Sequence, residues 1–160
     1  MTKQYWLMKS EPGTFSFTDL KACAHSTDHW DGVRNYQARN YMRDEMKVGD
    51  LVLFYHSSCP EPGIVGVAEI TRESYPDHTA LDADSKYFDP KSSSDNSRWF
   101  MVDVTWKEAF KDIVTLEKLK TVAGLKDMKV VQKGQRLSIQ PVTAEEFNIV
   151  YKLGMSASLL

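Results

Sequence analysis

Residues 51–56 form a continuous apolar run, LVLFYH, directly after a turn signal at residues 48–50. Such a run is typical of a strand that is covered on both faces of its sheet. Residues 63–70, GIVGVAEI, form a second run of this kind, and we predict that the two strands are neighbours. The sheet of this chain is therefore expected to be packed on both sides.

The other predicted elements are short. Strands are predicted at residues 5–8, 98–106 and 136–140, of which the second alternates apolar and polar side chains. Residues that can cap a helix open three further segments: Ser16 with Asp19, Thr115, and Thr143 with Glu146. A further helix is predicted after Gly32, where one apolar stripe is formed by Ala38, Tyr41, Met42 and Met46.

Residues 24–29 and 72–97 are predicted to be loops, and Gly154 is predicted to end the last helix. Strands and short helices are mixed without a regular βαβ rhythm. This pattern favours an α+β fold, a curved, mostly antiparallel β-barrel with flanking short helices. We predict a single domain at residues 1–154 and a disordered tail at residues 155–160.

The composition excludes several classes of protein. Of the 160 residues, 42% are hydrophobic and 26% are charged, as in an ordinary soluble domain. No apolar run reaches the roughly 18 residues of a membrane span, and the N-terminus lacks signal-peptide features, so we expect no membrane contact and a cytoplasmic location. Cys23 and Cys59 lack a CxxC spacing and are expected to be reduced thiols.

The net charge of −2 argues against a protein that holds duplex nucleic acid mainly by neutralising phosphates. Such proteins are usually strongly basic. A domain that captures one base in a pocket needs fewer phosphate contacts, so this mode of binding is compatible with the charge.

The segment at residues 30–40, WDGVRNYQARN, combines rings, guanidinium groups and side-chain amides with almost no aliphatic residues. A segment meant for burial would repeat Leu, Ile or Val with the period of a strand or a helix. Planar rings beside planar hydrogen-bonding groups are suited to holding a flat, polar ligand such as a nucleobase. Trp30 is the ring that we expect to stack on the base, and the alternative is a Trp buried in the core.

Short motifs lie in order along the chain: WLMKSEP (6–12), WDGVRNYQARN (30–40), GD (49–50), FYHS (54–57), GIVG (63–66), YPD (75–77), DPK (89–91), RW (98–99) and RLS (136–138). Together they closely resemble the EVE domain family, over residues 3–152. The resemblance implies a PUA-like fold, shared with the YTH domains that hold N6-methyladenosine in an aromatic cage, and Trp30 resembles a Trp of that cage.

The resemblance also implies a function. Members of the family are expected to recognise modified bases, above all modified cytosines in DNA, and no cofactor is expected. Bacterial members lie among defence and restriction systems, which implies association with other proteins of a nucleic-acid-processing system. RNA remains open as the nucleic acid.

The other candidate base-binding residues are polar or aromatic and lie in these motifs: Lys9, Ser10, Glu11, Arg34, Asn35, Tyr55, His56, Ser57 and Trp99. Glu11 can accept a hydrogen bond from an exocyclic amine, as acidic side chains do with cytosine. Arg39 and Arg43 lie one helical turn apart and are candidate phosphate contacts.

Each of the following residues also has a structural role as the alternative to ligand binding. Residues 9–11 can form a turn before Pro12, Arg34 can form a salt bridge with Asp31, and Asn35 can cap the helix. His56 can make a backbone hydrogen bond, and Arg39 and Arg43 can lie on a solvated helix flank.

Two other functions are open at this stage. One is an RNA-binding or protein-interaction module. The other is a nucleotide-acting enzyme with His56 as general base or acid beside Glu11 or Asp31, but the chain carries none of the usual catalytic motifs. A non-catalytic base reader is therefore favoured. Cys23, His25 and His29 fit no usual zinc spacing, so no metal is expected.

Overall fold

The computed structural model describes residues 3–156 of the chain. Strands in this part are β1 (Tyr5–Ser10), β2 (Thr27–His29), β3 (Leu51–His56), β4 (Gly63–Pro76), β5 (Phe100–Thr115) and β6 (Ile139–Val142). They form one sheet in the order β2-β5-β4-β3-β1-β6. Strands β1 and β3 pair in parallel, and the other neighbouring pairs are antiparallel. The α+β fold with a mostly antiparallel sheet is therefore confirmed.

The sheet is open rather than closed into a barrel. Within residues 3–156, β2 and β6 are its edge strands and do not pair with each other. Strand β4 has 14 residues and β5 has 16, and their pairing contains four register shifts. Such irregularities bend and twist a sheet, which agrees with the predicted curvature.

Short helices flank the sheet: α1 (Phe17–Ala22), α2 (Tyr36–Asn40), α3 (Leu116–Leu119) and α4 (Ala144–Met155). Helix α2 continues as a π-helical turn at Tyr41–Glu45, and 3-10 turns lie at Ala24–Ser26, His78–Leu81, Ala123–Leu125 and Lys129–Val131. The predicted capping boxes at Ser16 and Thr143 are both formed, and Thr115 caps α3. The three predicted helix starts are confirmed.

Two apolar layers cover the two faces of the sheet, because successive residues of a strand point to opposite sides. Trp6, Met8 and Phe54 pack in the layer that contains α1 and α2. Leu7 and Leu53 pack in the layer that contains α3 and α4. All five side chains are at most 2% exposed. The burial on both faces that the apolar run at residues 51–56 predicts is confirmed.

Residues 24–29 are not the loop that the sequence predicts. They form a 3-10 turn followed by β2, in which Thr27 lies opposite Thr105 and His29 opposite Asp103 of β5. Strand β2 is an edge strand whose side chains are only partly buried, so it has no apolar pattern to reveal it.

Strands β4 and β5 extend well past the predicted residues 63–70 and 98–106. The outer part of β4 is held by its pairing with β5, while Arg72 and Glu73 remain exposed, so no apolar alternation marks it. The predicted loop at residues 72–97 therefore begins only after Pro76. The strand predicted at residues 136–140 begins at Ile139.

Gly154 lies inside α4 and does not end it. A β-carbon at this position would lie 2.2 Å from the ring of Phe110, so glycine permits the helix to approach the sheet closely. The helix continues to Met155, the first residue of the predicted tail. Residues 157–160 of that tail lie outside the described residues.

Three expectations from composition concern thiols, membranes and metals. Cys23 and Cys59 are free, as predicted. Among the described residues, no helix is long and apolar enough to cross a membrane. In the same part of the chain, no group of three or more His, Cys, Asp or Glu side chains is placed to hold a metal ion.

Candidate functional site

A cavity of about 430 Å³ opens beside the C-terminal end of strand β1. Small-molecule sites typically enclose about 300–1,000 Å³, so this cavity has room for a planar ligand. Its lining comes from β1 and the turn after it, from β2 and the residues that follow, and from a later loop: Lys9, Ser10, Glu11, Thr14, Phe15, Asp28, His29, Trp30, Asp31, Lys86 and Tyr87.

The wall that follows β1 is positioned by the parallel pairing of β1 with β3. The C-terminal ends of both strands therefore lie side by side, with Ser10 opposite His56. The Ser57 amide donates to the Ser10 carbonyl (3.0 Å), and the Ser10 hydroxyl donates to the Phe15 carbonyl (2.6 Å). Ser10 is thus a fixed part of the wall and Glu11 is exposed beside it, whereas Ser57 does not line the cavity.

Trp30 forms a second wall. Its amide donates to the Val102 carbonyl (2.7 Å), which continues the hydrogen bonding of β2 with β5. The indole ring packs against Phe54 with ring centroids 5.6 Å apart and ring planes at 80° to each other, and Trp30 is only partly buried. Trp30 therefore contacts the core and leaves part of its surface to the cavity.

Charged groups of both signs border the cavity. Lys9 and Lys86 are its basic lining residues, although the Lys9 ammonium lies 5.7 Å from the ring centroid of Tyr55, and Glu11, Asp28 and Asp31 are its acidic lining residues. Burial lowers the pKa of Lys9 below its usual value. A polar ring in the cavity could accept a hydrogen bond from a lysine and donate one to a carboxylate.

Arg34 does not line this cavity, although the sequence assigned it to the base. Its guanidinium has five N–H groups. They donate to the carbonyls of Val33 and Tyr87, the carboxylate of Asp77 and the hydroxyl of Thr79. Since these bonds use all of its donors, Arg34 has none left for a base.

Asp77 connects the segment after Trp30 to the loop after β4. Its carboxylate accepts hydrogen bonds from the Gly32 amide (2.8 Å), from Arg34 (3.2 Å) and from Thr79. Burial raises the pKa of this carboxyl, but the hydrogen bonds outweigh burial, and the pKa lies below its usual value. The alternative salt bridge from Arg34 to Asp31 is wrong, because the partner is Asp77.

Gly32 allows the ring of Tyr87 to border the cavity. Its φ of +78° lies in the left-handed region, and a β-carbon there would lie 2.6 Å from the Tyr87 ring. The Arg34 guanidinium lies 5.5 Å from the centroid of the same ring. Tyr87 is therefore held between a glycine and an arginine that are more than 50 residues away in the chain.

Three other predicted base contacts have structural roles outside the cavity. The Asn35 side chain accepts from the Ala38 amide (2.9 Å), which is the capping role considered as its alternative. Tyr55 is 3% exposed and belongs to the opposite core layer. His56 Nε2 accepts from the Phe17 amide (3.1 Å), which is the backbone hydrogen bond considered for it.

Trp99 belongs to a separate aromatic cluster. Its ring N–H donates to Asp89 (2.8 Å), and its ring stacks on Tyr36 with centroids 4.9 Å apart. Trp99 borders a smaller cavity of about 230 Å³ that Arg34 and Arg98 also line. The structure thus does not place Trp99 beside Trp30 as a second wall of one pocket.

The two candidate phosphate contacts are both engaged within the protein. Arg39 donates to the Arg98 carbonyl (2.9 Å) and to the side chain of Asn40. Arg43 forms an exposed ion pair with Asp44 (2.8 Å). Neither residue lines the cavity.

The structure therefore brings together Lys9, Ser10, Glu11 and Trp30 among the predicted residues. The sequence did not predict the remaining lining residues as base contacts: Thr14, Phe15, Asp28, His29, Asp31, Lys86 and Tyr87. Two of these residues could have been found from the sequence: Tyr87 is an aromatic residue in a long polar loop, and Asp31 lies in the segment at residues 30–40. Nothing in the sequence pattern indicates Phe15 or Lys86 as a ligand contact.

We expect His56 to make the stability of the protein depend on pH. Burial lowers its pKa in the folded state, whereas an unfolded His has a pKa of about 6.5. The contribution of neutral His56 is therefore complete above about pH 6.5 and is lost as the pH falls from there through the folded pKa. Urea unfolding between about pH 5 and pH 8 should show a shallower decline for His56→Gln than for the wild type.

The same substitution at the exposed His78 provides the control, because it removes an imidazole without removing the acceptor of the Phe17 amide. Equal slopes for the wild type and His56→Gln would contradict the prediction.

The chain is similar to known proteins over almost its whole length. The family model for the EVE domain matches residues 4–153. Thymocyte nuclear protein 1 of Danio rerio is 48% identical over 165 residues, which cover 92% of this chain and 71% of the relative. The protein of the same name from Homo sapiens is 46% identical, covering 93% of this chain and 73% of the relative.

Solved structures show the same likeness. Human THYN1 in complex with 5-methylcytosine-containing DNA has a TM-score of 0.88 and 47% identity, covering 95% of this chain and 98% of that one. A hypothetical protein from Leishmania major has a TM-score of 0.91 and 45% identity, covering 98% of each chain. The YTH domain of Zygosaccharomyces rouxii MRB1, with 16% identity and a TM-score of 0.54, covers 96% of this chain and 85% of that one and shares the fold alone. The expected PUA-like fold is confirmed, and the chain belongs to the EVE domain family.

Proposed function

We propose that this chain is a non-catalytic nucleic-acid-binding domain that holds a modified base, above all a modified cytosine in DNA, in the cavity beside Trp30. The cavity itself carries the proposal. It offers about 430 Å³, one partly exposed indole ring and charged groups of both signs. These features suit a planar ring that must be stacked on one face and hydrogen-bonded at its edge.

The likeness to a solved complex supports the choice of ligand. The human THYN1 structure, 47% identical over 95% of this chain, contains DNA with 5-methylcytosine. A similarity of this extent supports the same class of ligand for this chain.

Each part of the cavity has a role in this proposal. Trp30 stacks on the base. Glu11 or Asp31 accepts a hydrogen bond from the exocyclic amine of cytosine, which is a donor. Lys86 donates to the carbonyl oxygen of the ring, and Phe15 offers an apolar surface to a methyl group on it.

The energetics favour a base that is captured singly. Taking a base out of a duplex costs a few kcal/mol, and less when it is already unpaired. Stacking on an aromatic side chain contributes roughly 1–3 kcal/mol of binding free energy, so hydrogen bonds to the base edge and contacts with the backbone must supply the remaining affinity. The net charge of −2 is compatible with this mode because it requires few phosphate contacts.

The position of His56 supports a non-catalytic role. The enzymatic alternative depended on His56 as general base or acid. Its Nε2 is engaged by the Phe17 amide, and His56 does not line the cavity that would hold the substrate. A base or acid has to reach the proton that it transfers.

Titration with labelled oligonucleotides tests the proposal. We expect DNA with 5-methylcytosine or 5-hydroxymethylcytosine to bind more tightly than DNA with cytosine or N6-methyladenine, in the same sequence and at one salt concentration. A buried methyl group contributes about 0.8 kcal/mol, so the expected preference over cytosine is about fourfold. Equal affinity for all forms of the base would overturn the proposal, and a preference for the matching RNA would favour the RNA-binding alternative.

A further inference from the structure

A second, larger concavity of about 890 Å³ shares Lys9 with the base cavity, and its lining includes Tyr55, Leu116 and Val130 of the core layer on the opposite face of the sheet. We call it the basic groove, because its charged lining consists of Lys9, Lys120, Lys126, Lys133 and Arg136. No Asp or Glu among the described residues lines it. This local excess of positive charge lies on a chain whose net charge is −2.

The cations of the basic groove are not neutralised by the protein. Within residues 3–156, none of the five takes part in an ion pair or donates a side-chain hydrogen bond, although Lys9 Nζ lies over the ring of Tyr55, 5.7 Å from its centroid. Lys120, Lys126, Lys133 and Arg136 are exposed. All five N–H groups of Arg34, by contrast, donate hydrogen bonds to acceptors within the protein. The groove therefore presents free cationic groups to whatever enters it.

The walls of the basic groove rest on ordered elements. Leu119 of α3 and Leu125 are fully buried, so Lys120 and Lys126, each next in the chain, are carried on anchored segments. The Lys9 amide donates to the Ser138 carbonyl (2.8 Å), which joins β1 to the segment that carries Arg136. The cations are thus held around one concavity rather than scattered on a flexible tail.

We propose that the basic groove binds the sugar-phosphate backbone of the strand whose modified base enters the cavity. The inference rests on the proposed function, since it assigns the path of the strand beside that base. Lys9 lies near the end of β1 and lines both concavities, so a strand that leaves the cavity past Lys9 and around the end of the sheet reaches the basic groove on the opposite face. Its phosphates are the anions that unpaired lysine and arginine side chains attract, without regard to sequence.

Substitution in the basic groove tests this path. Lys126→Gln with Lys133→Gln removes two cations and leaves Lys9 and the base cavity intact. We expect the double variant to bind oligonucleotides with modified and unmodified cytosine more weakly by the same factor, so that the preference is unchanged. The slope of log Kd against log salt should become shallower by about 0.7–0.9 for each phosphate that the protein no longer neutralises.

A matched control has the same change of charge away from the groove. Lys111→Gln with Lys152→Gln replaces two exposed lysines that do not line it. An unchanged salt slope in the groove variant, or an equal change in the control, would overturn the proposal. If the wild type showed no preference for any modified base but the groove variant still had a shallower slope, the proposed function would fail while backbone binding by the groove stood.

A second measurement follows the strand itself. Short single strands with the modified base at the 5′ end, the middle or the 3′ end differ in which side can reach the groove. We expect removal of nucleotides on one side alone to weaken binding to the wild type, and the groove variant to lose this asymmetry. Equal effects of trimming on both sides in the wild type would overturn the proposed path.

Discussion

Replacing Trp30 by alanine is expected to weaken binding of 5-methylcytosine DNA by about 5- to 150-fold. This range corresponds to the roughly 1–3 kcal/mol that a base loses when an aromatic stacking partner is truncated. Trp30 is the indole that lines the cavity, and part of its surface is not covered by the core. Titration at a fixed salt concentration measures the effect, and the preference for the modified base should fall together with the affinity.

Two variants separate stacking from stability. Trp30→Phe retains a ring and should recover much of the affinity. Trp106→Ala removes an indole that packs in the same core layer, 5.6 Å from the ring of Phe17, but does not line the cavity. If Trp106→Ala lowered the affinity as much as Trp30→Ala at equal loss of stability, the assigned role of Trp30 would be wrong.

Asp77→Asn is expected to lower the free energy of unfolding by about 3–5 kcal/mol. Asp77 is 2% exposed, and its carboxylate accepts hydrogen bonds from Gly32, Arg34 and Thr79. In the variant, the side-chain NH2 group would face the N–H donors of Gly32, Arg34 or Thr79, and the neutral amide would leave Arg34 without a counter-charge. Urea unfolding at neutral pH measures the loss, and base affinity should also fall because Gly32 and Arg34 hold Tyr87 at the cavity.

The pH dependence gives this prediction a sign. The folded pKa of Asp77 lies below its usual value, while an unfolded Asp has a pKa of about 3.9. The stabilisation is therefore complete above about pH 5 and is lost as the pH falls through the folded pKa, so the two proteins should converge in acid. Asp44→Asn, at the exposed pair with Arg43, should have a much smaller effect at neutral pH. A comparable loss in that control would contradict the prediction.

Local signals in the sequence were sufficient for some parts of the fold. The helix starts at Ser16, Thr115 and Thr143 are encoded within three residues of each cap, and the structure forms all of them. Strand β2 and the outer part of β4 could not be predicted in this way. Their stability comes from pairing with β5, which is remote in the chain, and pairing requires no apolar pattern.

The candidate site shows the same limit. Lys9, Ser10 and Glu11 at the end of β1 line the same cavity as Trp30, which follows β2. The motifs at residues 6–12 and 30–40 contain all four residues. Arg34 has the right chemistry for a base, but four of its five donors are used by Asp77, Thr79 and Tyr87, which lie 43 or more residues away in the chain. Residue type thus indicates what a side chain can bind, whereas distant neighbours decide whether it is available. The cytoplasmic location and the association with other proteins stay predictions.

The close approach of Gly32 to Tyr87 has a consequence for how long the protein survives. Segments far apart in the chain meet there to complete the cavity, so the cavity exists only while the chain is folded. A ligand that binds the folded state alone stabilises it, by about 2.7 kcal/mol when its free concentration is 100 times Kd. A molecule occupied by modified DNA should therefore unfold less often and be degraded more slowly than an empty one, which would couple the amount of this protein to the supply of its ligand.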